Sequence, residues 1–300
     1  MEAFSANLNY LLAGGSCDPY KLPRGSPIIS HLLYADDMLV FLNSVQSSLS
    51  AAKNFLQLFQ SATGLKKNNR KNNFLFSKHI RASRIRASER ILGFSKAGND
   101  IQYLGAPLSK ARTKVADFQF IIDKVNRRVN GWSASHVSQA GRATLIRRVL
   151  ESFSIHVMAA MHIPCQVIDC LESHFASFFW GWVDGKWKLH WIAWKKIVKP
   201  VDEGELSIRS LKEVMAALRL KLTWAVKFGE NSGSWVSLMR AKHHRDLTAE
   251  IHASSQKITS PFRRKIRTFL PVLTENVQWQ VGRGELNLWA YNWTGMGPLQ

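Results

Sequence analysis

A chain of 300 residues with 46% hydrophobic content and 11 tryptophans has apolar surface for about two ordinary domains, which excludes disorder throughout. Its 41 Lys and Arg against 21 Asp and Glu leave a formal charge of +20, far more than solubility needs, so the expected partner is a polyanion: nucleic acid before an anionic membrane surface. Cys17, Cys165 and Cys170 are too few for a secreted disulfide scaffold, and free thiols in the nucleus or cytoplasm are expected.

In chain order, residues 1–12 read as a short apolar helix without a basic leader, ending at Gly14-Gly15 before a loop with Pro19, Pro23 and Pro27. The apolar runs Leu32-Leu33-Tyr34 and Met38-Leu39-Val40-Phe41 flank Asp36-Asp37, which predicts a hairpin with two carboxylates at its turn. Val45, Leu49, Ala52, Phe55, Leu56 and Phe59 recur at helical spacing, with Gly64 placed to cap that helix. Residues 66–96 are dense in Lys and Arg with Glu89 the one acid, and hold a short strand candidate at Phe74-Leu75-Phe76. That basic stretch, with Lys66, Lys67, Arg70, Arg84 and Arg86, is the best local candidate for phosphate contact.

Beyond Tyr103-Leu104-Gly105-Ala106-Pro107-Leu108 the pattern becomes helical. Val115, Phe118, Ile122, Val125 and Val129 form one stripe, Leu145, Ile146, Val149, Leu150 and Phe153 a second, and Val167, Ile168, Leu171, Phe175 and Phe178 a third. Ser138 is placed to cap the helix that carries Arg142, Arg147 and Arg148, three further candidates for nucleic-acid contact. The expected fold class is therefore α+β, a hairpin and helix followed by a mainly α-helical second half. No apolar stretch is long and uninterrupted enough for a transmembrane helix, so no membrane partner is expected. Trp180, Trp182, Trp187, Trp191 and Trp194 interleave with Lys186, Lys188, Lys195 and Lys196; such a segment stacks bases or, more commonly, fills a core. His156, His162, Cys165, Cys170 and His174 lie on apolar helical stretches without the paired short spacings of a zinc site.

The chemistry resides in the double Asp. Nucleotidyl transfer uses two hard cations held by carboxylates, and adjacent aspartates at the end of two rigid strands supply part of such a cage. Alone, a double Asp at a turn is more often a solvated connection than a metal site. His31-Leu32-Leu33-Tyr34-Ala35-Asp36-Asp37-Met38-Leu39-Val40-Phe41, however, resembles the palm motif of non-LTR retrotransposon reverse transcriptases. Gly64-Leu65-Lys66-Lys67-Asn68-Asn69-Arg70-Lys71 is similar to the family's next palm segment, and Tyr103 to Leu108 to its primer-side strand and turn. Gly131-Trp132, Val137 to Ile146, Phe179-Trp180-Gly181, Trp191 to Trp194 and Lys221-Leu222-Thr223-Trp224 continue the similarity in the order found in plant members.

The resemblance implies an RNA-directed DNA polymerase ancestry with magnesium as cofactor and RNA and DNA as partners. Asp36 would ligate the metal with Asp37 in support, Tyr34 would sit near the primer end, and Lys71 would protonate or neutralise the leaving pyrophosphate. It divides the chain into a partial palm (1–108), a helical thumb-like region (109–175) and a Trp-rich, mainly helical C-terminal region (176–300). The chain departs from the family where it matters for catalysis. Its acids before Asp36 are Glu2 and Asp18, and neither lies in a run resembling the upstream aspartate motif that completes the metal cage. Asn72 replaces a usual Ser, and Gly204-Glu205-Leu206-Ser207 stands where Gly-Gly-Leu-Gly is usual. The expectation is a fragment lacking the fingers and half of the palm, inactive by itself. The rival expectation is a retroelement-derived protein that binds nucleic acid without catalysis.

Overall fold

The computed structural model describes residues 2–66, 68, 71–76, 80–98, 100–109, 114–132, 137–183, 186–187, 189–199, 206–229, 233–248, 261–278, 280, 282, 289 and 292–296. The fold is α+β: helices dominate, and the described strands form three separate two-stranded antiparallel sheets. The chain divides into two compact units, Met1–Leu22 with Pro27–Trp194, and Pro23–Ser26 with Lys195–Gln300.

In the first unit, α1 (Glu2–Ala13) precedes the hairpin of β1 (His31–Tyr34) and β2 (Asp37–Val40), and α2 (Gln46–Thr63) follows it. Phe4 of α1 is buried, with ring centroids 5.0 Å from both Phe55 and Phe59 of α2. Burying a side chain of this kind stabilises by about 1.5–3 kcal/mol. A polar chain ties the same helix to β1: Asn9 Oδ1 accepts from Ser30 Oγ at 2.8 Å, and the His31 ring reaches Ser30 Oγ at 2.7 Å and Ser5 Oγ at 2.8 Å. Gly64 ends α2 with φ 71°, its N–H donating to Gln60 O at 2.9 Å, a left-handed cap that suits glycine.

The basic stretch departs from expectation. α3 (Ala82–Leu92) packs on α2, whereas Phe74-Leu75-Phe76 forms no strand. Phe74 makes a single bridge to Lys96, and its ring packs at 5.2 Å from Phe76 and 6.0 Å from Phe94. Aromatic packing, with no partner strand alongside among the described residues, takes up the apolar run. A second hairpin, β3 (Asp100–Tyr103) and β4 (Ala106–Ser109), turns through Leu104 (φ 51°) and Gly105 (φ 77°), the positive-φ pair of a type I′ turn.

After a 3₁₀ turn (Val115–Phe118) come α4 (Gln119–Gly131), α5 (Gln139–Leu145), a π-helical turn (Ile146–Leu150), α6 (Glu151–Ala160) and α7 (Cys165–Trp180). Ser138 caps α5 as its type predicts, accepting from Gly141 N at 3.2 Å. The stripe Val167, Ile168, Leu171, Phe175 and Phe178 is buried on α7, with Phe118, Ile122, Val125, Ile146 and Leu150 also in the core. β5 (Trp182–Val183) pairs with β6 (Lys186–Trp187), and a single turn, α8 (Trp194–Ile197), follows. In the second unit α9 (Leu211–Phe228), α10 (Ser234–Thr248) and α11 (Pro261–Asn276) pack on one another. Arg240 of α10 donates to the carbonyls of Val226 (2.8 Å), Ala225 (3.3 Å) and Gly229 (2.5 Å), closing the end of α9. Among the described residues no helix is long and apolar enough to cross a membrane.

Arg142 is a structural residue in this arrangement. It is buried, donating through Nε to Val137 O at 3.0 Å and through Nη1 to Phe179 O at 3.2 Å, where α7 leaves its last carbonyls without helical partners. Gly181 follows with φ 89° and ψ 160°, and a Cβ there would run into the Arg142 guanidinium. Gly181→Ala is expected to cost about 3 kcal/mol, combining a glycine-only backbone conformation with displaced hydrogen bonds to a charged group. Urea denaturation measures it; a loss below about 1 kcal/mol would mean the junction relaxes freely.

Candidate functional site

The β1–β2 ladder pairs His31 with Val40, Leu32 with Leu39, Leu33 with Met38 and Tyr34 with Asp37. Ala35 and Asp36 are therefore the two-residue turn, and Asp37 is the first residue of β2. Because side chains alternate across a strand, Tyr34 and Asp37 stand opposite each other on one face with Leu32 and Leu39 behind them. Tyr34 is 64% exposed, so its ring is open to a ligand rather than held in a core. Ala35 takes φ 49°, a left-handed conformation that matches hairpin twist but costs a non-glycine residue about 1–2 kcal/mol. Asp36 and Asp37 are exposed.

The second hairpin lies within electrostatic range of Asp37. Burial raises the Tyr103 phenol pKa, and the Asp37 carboxylate raises it further, so Tyr103 at the end of β3 shares surroundings with Asp37. Leu104 O in the same turn accepts from His156 Nε2 at 2.8 Å, which anchors the β3–β4 turn to α6. Tyr103 stands in the Tyr103 to Leu108 motif, and its electrostatic link to Asp37 depends on tertiary placement, for which the local sequence carries no signal. A phenol whose folded pKa is raised adds stability below its unfolded value, near 10, and loses it as pH rises through the folded value. Asp37→Asn is expected to lower the Tyr103 pKa while leaving the burial contribution. Phenolate absorbance against pH, compared with Tyr103→Phe backgrounds, reads this; an unmoved Tyr103 titration would separate the two residues.

Of the acids before the turn, Asp18 sits at the other end of the hairpin. Asn43 N donates to Asp18 O at 3.0 Å, and Pro19 bridges Leu42. Six extended residues from Asp37 to Asn43 correspond to about 20 Å. Among the described residues, no group of three His, Cys, Asp or Glu side chains is placed to hold a metal ion; Glu2 is described, so it does not complete one with the aspartates. Cys170 Sγ lies 3.6 Å from His174 Nε2 on α7, where burial lowers the His174 pKa, and the described cysteines are free.

The remaining candidates divide by exposure. Lys66, Lys71, Arg84, Arg86 and Arg148 are exposed, Arg147 is half-buried on the π-helical turn, and Arg142 is held in the interior. Its carbonyl contacts mean that, in this conformation, Arg142 offers no phosphate contact. Lys71 lies in a turn closed by its N–H to Asn68 O at 3.1 Å. Lys67, Asn69, Arg70, Gly204 and Glu205 lie outside the described residues. Within the Trp segment, Trp180 stacks on His190 at 6.1 Å, Trp194 meets Phe179 at 6.2 Å, and Trp191 is exposed.

No family model matches the chain. Over 199 residues it is 30% identical to an Arabidopsis thaliana protein provisionally named a ribonuclease H protein, a match covering 64% of this chain. The matched part is 32% of that relative. The chain thus spans about a third of the length of the curated relative it matches.

Proposed function

We propose that the chain is the later part of a non-LTR retroelement reverse transcriptase of the plant type, with palm (1–108), thumb-like (109–175) and Trp-rich (176–300) regions. These 300 residues hold RNA or DNA but do not extend a primer. The observation that carries the reading is the tight β1–β2 hairpin, with Asp36 in its turn and Tyr34 opposite Asp37; the Asp37 carboxylate also acts electrostatically on Tyr103 of the second hairpin. The Arabidopsis relative, named for a nuclease of nucleic acid, supports the setting.

The donor set fits magnesium, which prefers a few carboxylate oxygens and keeps the rest of its shell for water and phosphate. Asp36 and Asp37 would hold the ion, which would supply positive charge to a triphosphate. Tyr34 and Tyr103 would flank the strand end beside it, and Lys71 would neutralise the departing pyrophosphate. A two-carboxylate turn open to water binds weakly, in the range of about 10⁻⁴–10⁻³ M at best. Titration with manganese, followed by the electron paramagnetic resonance of the free ion, is expected to show one such site in the chain. Asp36→Asn should abolish it and Lys71→Gln should not. Manganese binding that survives Asp36→Asn combined with Asp37→Asn would refute the assignment.

A further inference from the structure

α3 carries an open surface cleft of about 680 Å³, lined among the described residues by Ser83, Arg86, Glu89 and Arg90. Ser83, Arg86 and Arg90 follow the i, i+3, i+7 spacing of one helix face, and all three are exposed, whereas Ser88 is α3's buried residue. Arg86 and Arg90 are about 6 Å apart along the axis, comparable to one step between phosphates of a single strand. Arginine is the side chain best suited to phosphate oxygens.

Glu89 breaks the pattern of a plain phosphate site. Its Oε1 accepts from Lys96 N at 3.1 Å, which fixes the carboxylate beside the cleft. An ionised carboxylate has about four acceptor positions and no donor, so one backbone N–H leaves acceptor capacity unused. Beside two guanidiniums it weakens the binding of any anion unless the ligand also brings a hydrogen-bond donor. A ribose 2′-hydroxyl is such a donor, adjacent to the phosphate, and deoxyribose lacks it.

We propose that this cleft is a ribonucleotide subsite, with Arg86 and Arg90 taking successive phosphates of a single RNA strand and Glu89 accepting a 2′-hydroxyl between them. The subsite rests on the nucleic-acid part of the function proposed above but not on the metal at Asp36 and Asp37. The test is fluorescence anisotropy of the full chain in EDTA with a short single-stranded RNA and the DNA of the same sequence. RNA is expected to bind about fivefold more tightly, the effect of one net hydrogen bond. Arg86→Gln with Arg90→Gln should weaken RNA binding and remove the preference. Glu89→Ala should remove it differently, by raising DNA affinity towards that for RNA. If thermal melting shows that the alanine variant is unfolded, Glu89→Gln, which keeps an acceptor for Lys96 N–H, is expected to show a reduced preference. Equal, salt-dependent binding of RNA and DNA by the unaltered chain overturns the subsite and leaves the broader reading standing. A preference unchanged in the Glu89 variant that folds also overturns the subsite, and absence of salt-dependent binding overturns both readings.

Discussion

Given a homopolymer template, an annealed primer, magnesium and the complementary nucleotide, the 300-residue chain is expected to add nothing detectable to the primer. Nucleotidyl transfer in a two-metal site depends on carboxylates converging on ions about 4 Å apart, so that both attacking and leaving oxygens are stabilised. Asp36 and Asp37 would by the proposal supply one side of such a cage, and Asp18 is tethered at the far end of the hairpin. Holding primer and nucleotide in line is worth effective molarities of about 10⁵–10⁸ M, and electrostatic preorganisation about 10²–10³ per donor. Loss of either factor would take the rate below detection. Magnesium-dependent extension that disappears in Asp36→Ala would show that these residues assemble a working centre.

The hairpin was legible because two apolar runs bracket residues that suit a turn, but the ladder closes on Ala35 and Asp36, one residue earlier than the Asp36-Asp37 pair, so that Asp37 opens β2. α2 and α7 were legible for the same reason, their buried positions recurring at helical spacing. α3 was not, since its apolar residues Ile85, Ile91 and Leu92 are sparse among Arg81, Arg84, Arg86 and Arg90. Its identity as a helix depends on packing against α2, a tertiary effect that outweighs local pattern.

Side-chain roles were harder to read than elements. Arg142 looked like a surface cation in a basic helix, yet it closes the end of α7, and only the partnership with Gly181 reveals this. The apolar run Phe74-Leu75-Phe76 has strand composition but, among the described residues, only a single bridge to Lys96 and no neighbouring strand, and composition does not report on neighbours. The Asp37 carboxylate acts electrostatically on Tyr103, which belongs to a separate hairpin. Residues far apart in sequence meet through topology, and the chain's local patterns are silent about such meetings. Exposure of the cations, by contrast, followed expectation over much of the basic stretch: Lys66, Lys71, Arg81, Arg84, Arg86 and Arg90 all face solvent.

That row of exposed cations makes salt dependence the most direct test of nucleic-acid handling. Each phosphate neutralised releases counterions, so log affinity falls with log salt by about 0.7 per contact for single strands and about 0.9 for duplex. With about six contacts the slope is expected near −4 to −5, equivalent to roughly a 300- to 1,000-fold loss between 50 and 200 mM salt. Replacing Lys66, Lys71, Arg81 and Arg84 by Gln should flatten the slope by about three. The same treatment of Lys21, Lys114, Lys221 and Lys242, exposed cations elsewhere in the chain, should leave it nearly unchanged. The deciding measurement is a fluorescence anisotropy titration of single-stranded RNA at several salt concentrations with these two variants. A slope near −4 that flattens only when residues 66–84 are altered is the predicted result; a salt-independent affinity, or no binding at low salt, would contradict it.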